Sequence, residues 1–360
     1  MKRLVLLLLV VMVSCARPLP QVAEAPVPVP PVEPPAVEAV ETAKEQVPVP
    51  VSEPDLDETT KNSVWVISTD SMEVVKKIPV GKSPSDVAVT SNGFYAAVVN
   101  AGDNTASIIE VGTPSVLGTV PVGRTPQSVV ISPLSDYIVA ANIGDDTLSV
   151  INLTSRKVDA TIAVSKRPSA LAASPEGKYV FVTSATGEVV EKVNLFIRRV
   201  TGKAKVGDVP IALAMTKDKE KLFVVNERSN GVSVIDAVDM SRKKKFDIDV
   251  GVQPRSAVLG QNDAELFVVN KGDGVLSIID TEEYKIKKQL KLGISPVSVS
   301  FSSGGVAGRI WVADPKNDQV VVIDRQTLNV IKAIPVGDYP VALAAGKDFV
   351  LVVNAGEKED

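Results

Sequence analysis

The sequence contains no histidine and only one cysteine, Cys15, among its 360 residues. Histidine is the most common general base and metal ligand, so its absence excludes Ser-His-Asp and Cys-His catalytic arrangements. A lone cysteine cannot form a disulfide within the chain. We also find no phosphate-binding glycine loop and no calcium-type carboxylate cluster. We therefore expect no cofactor, no bound metal and no catalytic residues.

Aromatic residues are also scarce, at 4% of the sequence, whereas valine is abundant. This composition favours many short β-strands over helices that pack through large aromatic side chains. Two tryptophans, Trp65 and Trp311, lie within apolar runs. We predict that they pack between structural repeats instead of stacking on nucleic-acid bases.

Residues 1–14 have the pattern of a lipoprotein signal peptide. Two basic residues precede an apolar run of ten, which is too short to span a hydrocarbon core that needs about 20 residues. The sequence Met-Val-Ser-Cys then resembles a bacterial lipobox, in which the cysteine is lipidated and becomes the mature N-terminus. We predict that Cys15 is lipidated; an ordinary signal peptide with an unrelated cysteine is the alternative. Ala16 is not the aspartate that resembles an inner-membrane retention signal, which favours the outer membrane.

Residues 15–62 have the composition of a disordered, lipid-anchored linker rich in proline and glutamate. Eleven prolines occur in this stretch, with nine acidic and three basic residues. Proline fixes φ and removes a backbone donor, so this segment favours polyproline II and cannot form a packed core. Acidic and basic residues balance in the rest of the chain after residue 62, so no global field attracts it to nucleic acid.

A Val-Gly-x-x-Pro element, with two variants, recurs seven times from residue 80 to the C-terminus. The spacings between successive prolines are 42, 42, 42, 44, 42 and 44 residues. The prolines are Pro84, Pro126, Pro168, Pro210, Pro254, Pro296 and Pro340. Each complete unit holds four short apolar runs separated by turn residues, which is the content of a β-propeller blade, with strands A to D.

The unit count predicts how the ring closes. Six prolines open complete four-strand units, but only two strands follow Pro340 before the chain ends. Two further strands precede the first proline, at about residues 64–67 and 73–80. We therefore predict an all-β, seven-bladed β-propeller over residues 63–360, whose last blade combines N- and C-terminal strands. Such closure hides sheet edges that an open array would expose.

The repeat resembles the YVTN family of seven-bladed propellers. The resemblance rests on the Val-Gly-x-x-Pro loops, on second strands that end in Val-Asn, and on third strands such as Ser-Val-Ile-Asp. It covers residues 63–354 and implies the fold, whereas the functions of that family are diverse. The unit after Pro168 departs most: Thr183-Ser184 replaces Val-Asn, and residues 188–194 lack the third-strand pattern. We predict that this blade is irregular or carries a special role.

Basic residues recur around the Gly-x-x-Pro loops. Because strands alternate in direction, the D–A loops and B–C turns of a propeller share one face. We predict a basic arc there that meets phosphate, carboxylate or an acidic protein, with Asp208 and Asp338 on the other side of the ring. The alternative is that these loops are polar because they are solvated. The candidate residues are Lys82, Arg124, Lys166, Arg167 and Arg255.

Two lysine-rich tracts, residues 242–245 and 285–288, resemble polyanion-binding patches. We predict that both lie at the start of outermost D strands, where lysine prevents edge-to-edge pairing. The recurring asparagines at the ends of second strands are similarly interpreted as structural caps of the following turns.

The favoured functional hypothesis is a cell-envelope lipoprotein, periplasmic or on the cell surface, with a non-catalytic, monomeric propeller. The propeller would be a scaffold that binds an envelope protein or polymer, and the lipid anchor would attach it to a membrane. A lactonase-like enzyme acting on small molecules is one alternative; it would need acidic and arginine side chains that converge at the propeller mouth. Binding of single-stranded nucleic acid or another polyanion is the other.

Overall fold

The computed structural model describes residues 60–134, 136–303 and 308–356. Cys15, the predicted signal peptide and the predicted linker up to residue 59 lie outside the described residues. The described part forms seven four-stranded antiparallel sheets, which confirms the predicted all-β, seven-bladed propeller. No described segment is a helix long and apolar enough to cross a bilayer.

Each blade runs from strand A to strand D, and the A strands contact one another from blade to blade around the ring. The A strands are β3 (Pro84–Val89), β7 (Pro126–Ile131), β11 (Pro168–Ala173), β15 (Pro210–Met215), β19 (Pro254–Leu259), β23 (Ser298–Ser302) and β27 (Pro340–Ala345). The B strands are β4 (Tyr95–Asn100), β8 (Tyr137–Asn142), β12 (Tyr179–Ser184), β16 (Lys221–Asn226), β20 (Glu265–Asn270), β24 (Arg309–Asp314) and β28 (Phe349–Asn354).

The C and D strands complete the blades towards the outside. The C strands are β5 (Thr105–Glu110), β9 (Thr147–Asn152), β13 (Val189–Asn194), β17 (Gly231–Asp236), β21 (Val275–Asp280), β25 (Gln319–Asp324) and β1 (Ser63–Ser68). The D strands are β6 (Ser115–Pro121), β10 (Lys157–Ala163), β14 (Arg199–Lys205), β18 (Ile248–Asp249), β22 (Lys285–Lys291), β26 (Val330–Pro335) and β2 (Val74–Pro79).

The last blade closes the ring as the repeat count predicts. Its strand order is β2-β1-β28-β27, so two N-terminal strands complete a sheet begun by two C-terminal strands. Strand β1 pairs with β28 over six residue pairs, from Ser63 opposite Asn354 to Ser68 opposite Phe349. Residues 60–62, which the sequence assigned to the linker, also contact this blade: the Asp338 amide donates to the Thr60 carbonyl at 3.1 Å.

Apolar packing between neighbouring blades forms the core. B and C strands are buried on both faces because each lies between two adjacent sheets, which explains their continuous apolar runs. Trp65 of β1 and Trp311 of β24 belong to one cluster between the sixth and seventh blades, as predicted. Trp311 is fully buried, and its indole Nε1 donates to Ser302 Oγ at 2.9 Å. In each D strand only the penultimate residue is buried, because these strands form the outer edge of the blades.

Two strands differ from the sequence prediction. The tract 242–245 does not open a D strand, because residues Lys244–Phe246 form a 3-10 turn and β18 keeps only two residues. Arg242 is instead paired with Asp247, with Nη2 2.6 Å from Oδ2. The second tract does lie in a D strand, β22. In the sixth blade the A strand begins two residues after Pro296, at Ser298.

The two ends of the ring are built from different connections. The D–A loops and B–C turns meet on one face, which we call the loop face; there the Gly102 amide donates to the Lys82 carbonyl at 3.0 Å. The A–B and C–D turns form the opposite, turn face, where the Leu195 amide donates to the Lys178 carbonyl at 3.1 Å. The described chain enters and leaves on the loop face, since Thr60 and Gly356 both bond to Asp338.

Candidate functional site

The five predicted basic residues all lie at or beside the loop face, but they do not form one continuous arc. Arg124 is tied to its own blade: its Nε lies 2.6 Å from Asp145 Oδ1, and its Nη2 donates to the Gly144 carbonyl at 2.9 Å. This side-chain hydrogen bond raises the pKa of Arg124 and lowers that of Asp145 from their usual values. Arg255 is similarly paired, with Nη1 3.1 Å from Glu227 Oε1.

The other three residues remain exposed at the loop face. Lys82, Lys166 and Arg167 are all exposed to solvent, and none has an ion pair within the described part of the chain. Lys82 and Arg167 are held by their main chains, whose amides donate to Asp103 and Asp146 at 2.7 and 2.8 Å. Their positions are therefore fixed by backbone contacts, while their side chains are available for a ligand.

A repeated hydrogen bond fastens five of the seven D–A loops to the blade before them. In six loops the residue before the proline has a positive φ of 48–56°, and in five of these its amide donates to an asparagine or aspartate side chain of the preceding blade. The pairs are Ser83 with Asn62, Thr125 with Asn104, Arg167 with Asp146, Gln253 with Asn230 and Tyr339 with Asp318. A left-handed conformation is costly for these residues, so the bond helps to hold the loop.

The bond is missing between the third and fourth blades. The equivalent residues are Val209, a β-branched residue at φ 54°, and Glu188. The Val209 amide has no such acceptor among the described residues, and Glu188 faces solvent. A β-branched residue at positive φ is a genuine outlier. The bond is also absent between the fifth and sixth blades, where Gly274 holds the acceptor position and Ser295 has no positive φ. Among the described residues of this series, only Val209 keeps the positive φ without the bond.

A cavity of about 440 Å³ opens between the third and fourth blades. Two arginines and two acidic residues that line the cavity are exposed to solvent. The cavity has the volume of a small ligand pocket. We call it the blade 3–4 cleft. Its lining residues are Arg167, Ala185, Thr186, Glu188, Asp208, Val209 and Arg228.

Of the predicted ligand-face residues, the cleft contains only Arg167. The prediction that Asp208 lies on the other side of the ring is wrong, because Asp208 lines the same cleft as Arg167. Arg167 and Asp208 lie in consecutive D–A loops, which are neighbours in the ring. Arg228 and Glu188 were missed. The sequence did contain a sign of this site: position 188 in a B–C turn is glutamate, whereas most other B–C turns have asparagine or aspartate there.

The third blade also differs beneath the cleft. Ser165 stands at the loop position where the other repeats have glycine, and Glu191 stands where four other C strands have serine. Glu191 is buried and accepts from the Ser165 amide and hydroxyl at 2.8 and 2.6 Å. Lys203 Nζ lies 3.3 Å from Glu191 Oε1. The predicted irregularity of this blade is thus a buried polar cluster in which each charged group is partnered.

The recurring asparagines have the structural role that the sequence suggested. Asn100, Asn142, Asn226 and Asn270 are buried, and each donates from Nδ2 to a serine on the adjacent C strand at 2.9–3.0 Å. They hold strand ends together inside each blade and do not line a binding ring.

A second, larger cavity of about 620 Å³ opens at the centre of the turn face. Half-buried apolar side chains such as Leu213, Met215 and Phe301 form much of its wall.

Asp86, on the A strand of the first blade, accepts from the Val129 amide and Ser128 hydroxyl, both at 2.9 Å. Burial raises the pKa of Asp86 to about 6. Within the described residues no group of three or more acids could hold a metal ion.

The comparisons with known proteins agree with this architecture. The family model described as a YNCE-like beta-propeller matches residues 86–355. The chain belongs to this YNCE-like family. No match was found among curated proteins.

Solved structures share the fold of this YNCE-like propeller at low sequence identity. Hydrazine synthase of Kuenenia stuttgartiensis is similar at a TM-score of 0.66 and 15% identity, covering 76% of this chain and 96% of that one. A functionally unknown protein of Desulfotomaculum acetoxidans is similar at 0.70 and 14%, covering 83% and 98%. At such identity the likeness shows the fold alone.

Proposed function

We propose that the chain is a cell-envelope lipoprotein whose non-catalytic propeller binds a partner protein through the blade 3–4 cleft. The lipobox-like sequence before Cys15 supports the anchor, and the proline-rich segment after it supports a spacer between anchor and propeller. Partner binding is supported by the loop face. There, charged side chains surround a concave site while the blade-to-blade core maintains the fold independently.

The observation that carries the proposal is the mixed charge of the cleft. Arg167 and Arg228 supply planar guanidinium groups that recognise carboxylates, and Glu188 and Asp208 supply acceptors for amide or basic groups. A site with both signs of charge suits a polar protein segment better than a uniform polyanion. This refines the predicted basic arc to a narrower site, and electrostatic complementarity there would select the partner.

A crosslinking capture from intact envelopes tests the proposal. The chain carrying Arg167→Glu and Arg228→Glu would be compared with the wild type. Both side chains are exposed and only their main chains take part in loop hydrogen bonds, so the fold should survive. We expect one protein to be captured by the wild type and lost with the double variant.

The control is Lys316→Glu, compared with Arg167→Glu and Arg228→Glu as single variants so that the change in charge is equal. Lys316 is exposed in the B–C turn of the sixth blade, two residues after Asp314, as Arg228 follows Asn226. It lies across the ring from the cleft. Loss of capture with Lys316→Glu as well would mean that total charge, and not the cleft, governs association.

The anchor has its own test. In cells, Cys15→Ser should leave the chain unlipidated and released from the membrane fraction, because the serine hydroxyl cannot replace the thiol as the acceptor of the lipid. Membrane extraction and a mobility assay for processing would check this. A Cys15→Ser chain that is processed and membrane-bound as before would contradict the lipoprotein assignment without bearing on the cleft.

A further inference from the structure

Exposed apolar side chains are concentrated at one end of the propeller. Apart from Val252 in a D–A loop, the large ones among the described residues lie in A–B turns, in C–D turns or early in D strands. All these positions belong to the turn face. The most exposed of those in turns of the second to fourth blades are Leu134 at 63%, Phe196 at 68%, Ile197 at 52% and Val238 at 68%. We call these four the apolar tips.

The fold does not require the phenylalanine and isoleucine of the third blade. The second blade has Leu153-Thr154-Ser155-Arg156 in the equivalent turn, where the third has Leu195-Phe196-Ile197-Arg198. Both turns have the same backbone, with the arginines at φ 54° and 55°. In both, the strand-end asparagine side chain accepts from the turn amides. Threonine and serine therefore satisfy this turn equally well.

The apolar tips lie on neighbouring turns. Leu134 packs over Gly177 of the next blade, since a Cβ on Gly177 would lie 3.5 Å from Leu134 Cγ. The turn of Gly177 is joined to the turn of Phe196 by the hydrogen bond between Leu195 and Lys178. Lys192 then links the third blade to the fourth, because its Nζ donates to the Val238 carbonyl at 3.2 Å. The turns that carry the apolar tips are therefore neighbours across three consecutive blades.

Basic side chains lie beside the apolar tips of the third blade. Lys178, Arg198 and Arg199 are exposed in the same turns. Acidic residues are also present: Glu176 is paired with Lys219 at 3.6 Å, and Asp239 accepts from the Ser241 amide at 2.8 Å. Asp136 is exposed beside Leu134. The two charged residues next to Phe196 on its own turn, Arg198 and Arg199, are both positive.

We propose that the apolar tips insert into the surface of an anionic phospholipid bilayer, with the arginines beside them contacting lipid headgroups. The tips protrude separately from turns and do not line a groove. A fluid interface accepts separate protrusions, whereas a protein partner needs a complementary shape. Positive charges near an anionic leaflet add to the attraction.

This arrangement is compatible with the proposed anchor, on which it rests only for the protein's location. The described chain leaves the loop face at Thr60, 45 residues after Cys15. A segment of that length can reach at most roughly 150 Å, well beyond the roughly 20 Å length of a six-residue strand. The tether can therefore pass the edge of the propeller. With the turn face on the membrane, the blade 3–4 cleft points away from it.

Vesicle binding by the unlipidated chain tests the proposal. The chain starting at residue 16 keeps every described strand and contains no cysteine, because Cys15 is the only one. Ile197→Cys then gives a unique site for an environment-sensitive fluorophore, and Val252→Cys, a 49% exposed position in a D–A loop of the loop face, gives the control. Vesicles would contain phosphatidylglycerol with phosphatidylethanolamine, or phosphatidylcholine alone.

We expect a blue shift at position 197, but not at 252, with phosphatidylglycerol vesicles, weakening as salt rises. In cosedimentation, Phe196→Thr with Ile197→Ser, which recreates the second-blade turn, should reduce binding at least about tenfold. Val252→Ser, on the loop face, should bind as the wild type does. Equal shifts at both labels, or no binding by the wild-type chain, would overturn the proposal. Either result would leave partner capture through the cleft untouched.

Discussion

In five blades the D–A loop passes so close to the asparagine at a strand end that the residue in the loop must be glycine. A Cβ added to Gly123 would lie 2.6 Å from the Asn142 side chain, and one added to Gly81 would lie 2.7 Å from Asn100. Those distances are far inside van der Waals contact, so a blade with asparagine at the strand end needs glycine in the loop. The glycine is required here by packing and not by a positive φ.

The third blade shows how this pair changes together. Ser184 is shorter than asparagine and leaves room for Ser165, whose amide donates to Glu191. In the second blade the Gly123 amide donates to Ser149 instead, at 3.3 Å. Ser165, Ser184 and Glu191 together thus preserve the hydrogen bond from the loop amide to the C strand. Each of these three substitutions alone would leave a clash or an unsatisfied group.

A double-mutant cycle in the second blade tests this dependence. Gly123→Ser alone should lower the free energy of unfolding by about 1–3 kcal/mol, because its side chain overlaps Asn142. Asn142→Ser alone should lower it by about 1 kcal/mol, because Thr147 and Ser149 lose a donor. In the double variant the losses should fall short of additivity by at least about 1 kcal/mol. Denaturant unfolding measures all three, and strict additivity would contradict the coupling.

The loop glycines and the strand-end asparagines could be identified from the sequence, but not the contact between them. The glycine and asparagine repeats were visible, and the structural role of the asparagines was correctly predicted, but their partners are C-strand side chains and not mainly the turn backbone that the sequence suggested. The cleft residues Glu188 and Arg228 were missed because a single sequence does not show which side chains accept the inter-blade hydrogen bonds. Pairing of Arg124 with Asp145 was likewise hidden, since 21 residues separate them.

At the level of strands, the repeat spacing predicted the blades because turns and apolar runs alternate so regularly. It failed where one blade departs from the average. Strand β18 shrinks to two residues because the 3-10 turn at Lys244–Phe246 takes the place of its beginning. Strand β23 starts late. Such local changes depend on side chains that a repeat average does not contain.

Ring closure gives a prediction for strands β1 and β2. Deleting residues 63–80 would remove half of the seventh blade and expose the edge of β28, which now pairs with β1. It would also remove Trp65 from the cluster with Trp311. We expect loss of a single cooperative thermal transition and a tendency to aggregate.

Near-ultraviolet circular dichroism and calorimetry would check the deletion. A matched control with a deletion after residue 356 spares every described strand and should unfold as the wild type does. A shortened chain without residues 63–80 that still unfolds in one sharp transition would show that closure is not needed for folding.

At the scale of the whole molecule, the two faces differ in chemistry. The loop face carries the mixed-charge cleft, and the turn face carries exposed apolar tips with nearby arginines. The blade-to-blade clusters hold both faces in place, so each can vary without loss of the core. A propeller lying with its turn face on a membrane would present the cleft to a partner outside it. The solved structures of similar shape support the fold and leave this function to be tested.

The most direct test of the account is the affinity of the captured partner, once purified, for three chains at two salt concentrations. The account predicts that Arg167→Glu with Arg228→Glu binds at least about tenfold more weakly than the wild type. Lys316→Glu should bind within about twofold of it, and the difference should narrow at higher salt. Equal affinity for all three chains would contradict binding through the blade 3–4 cleft.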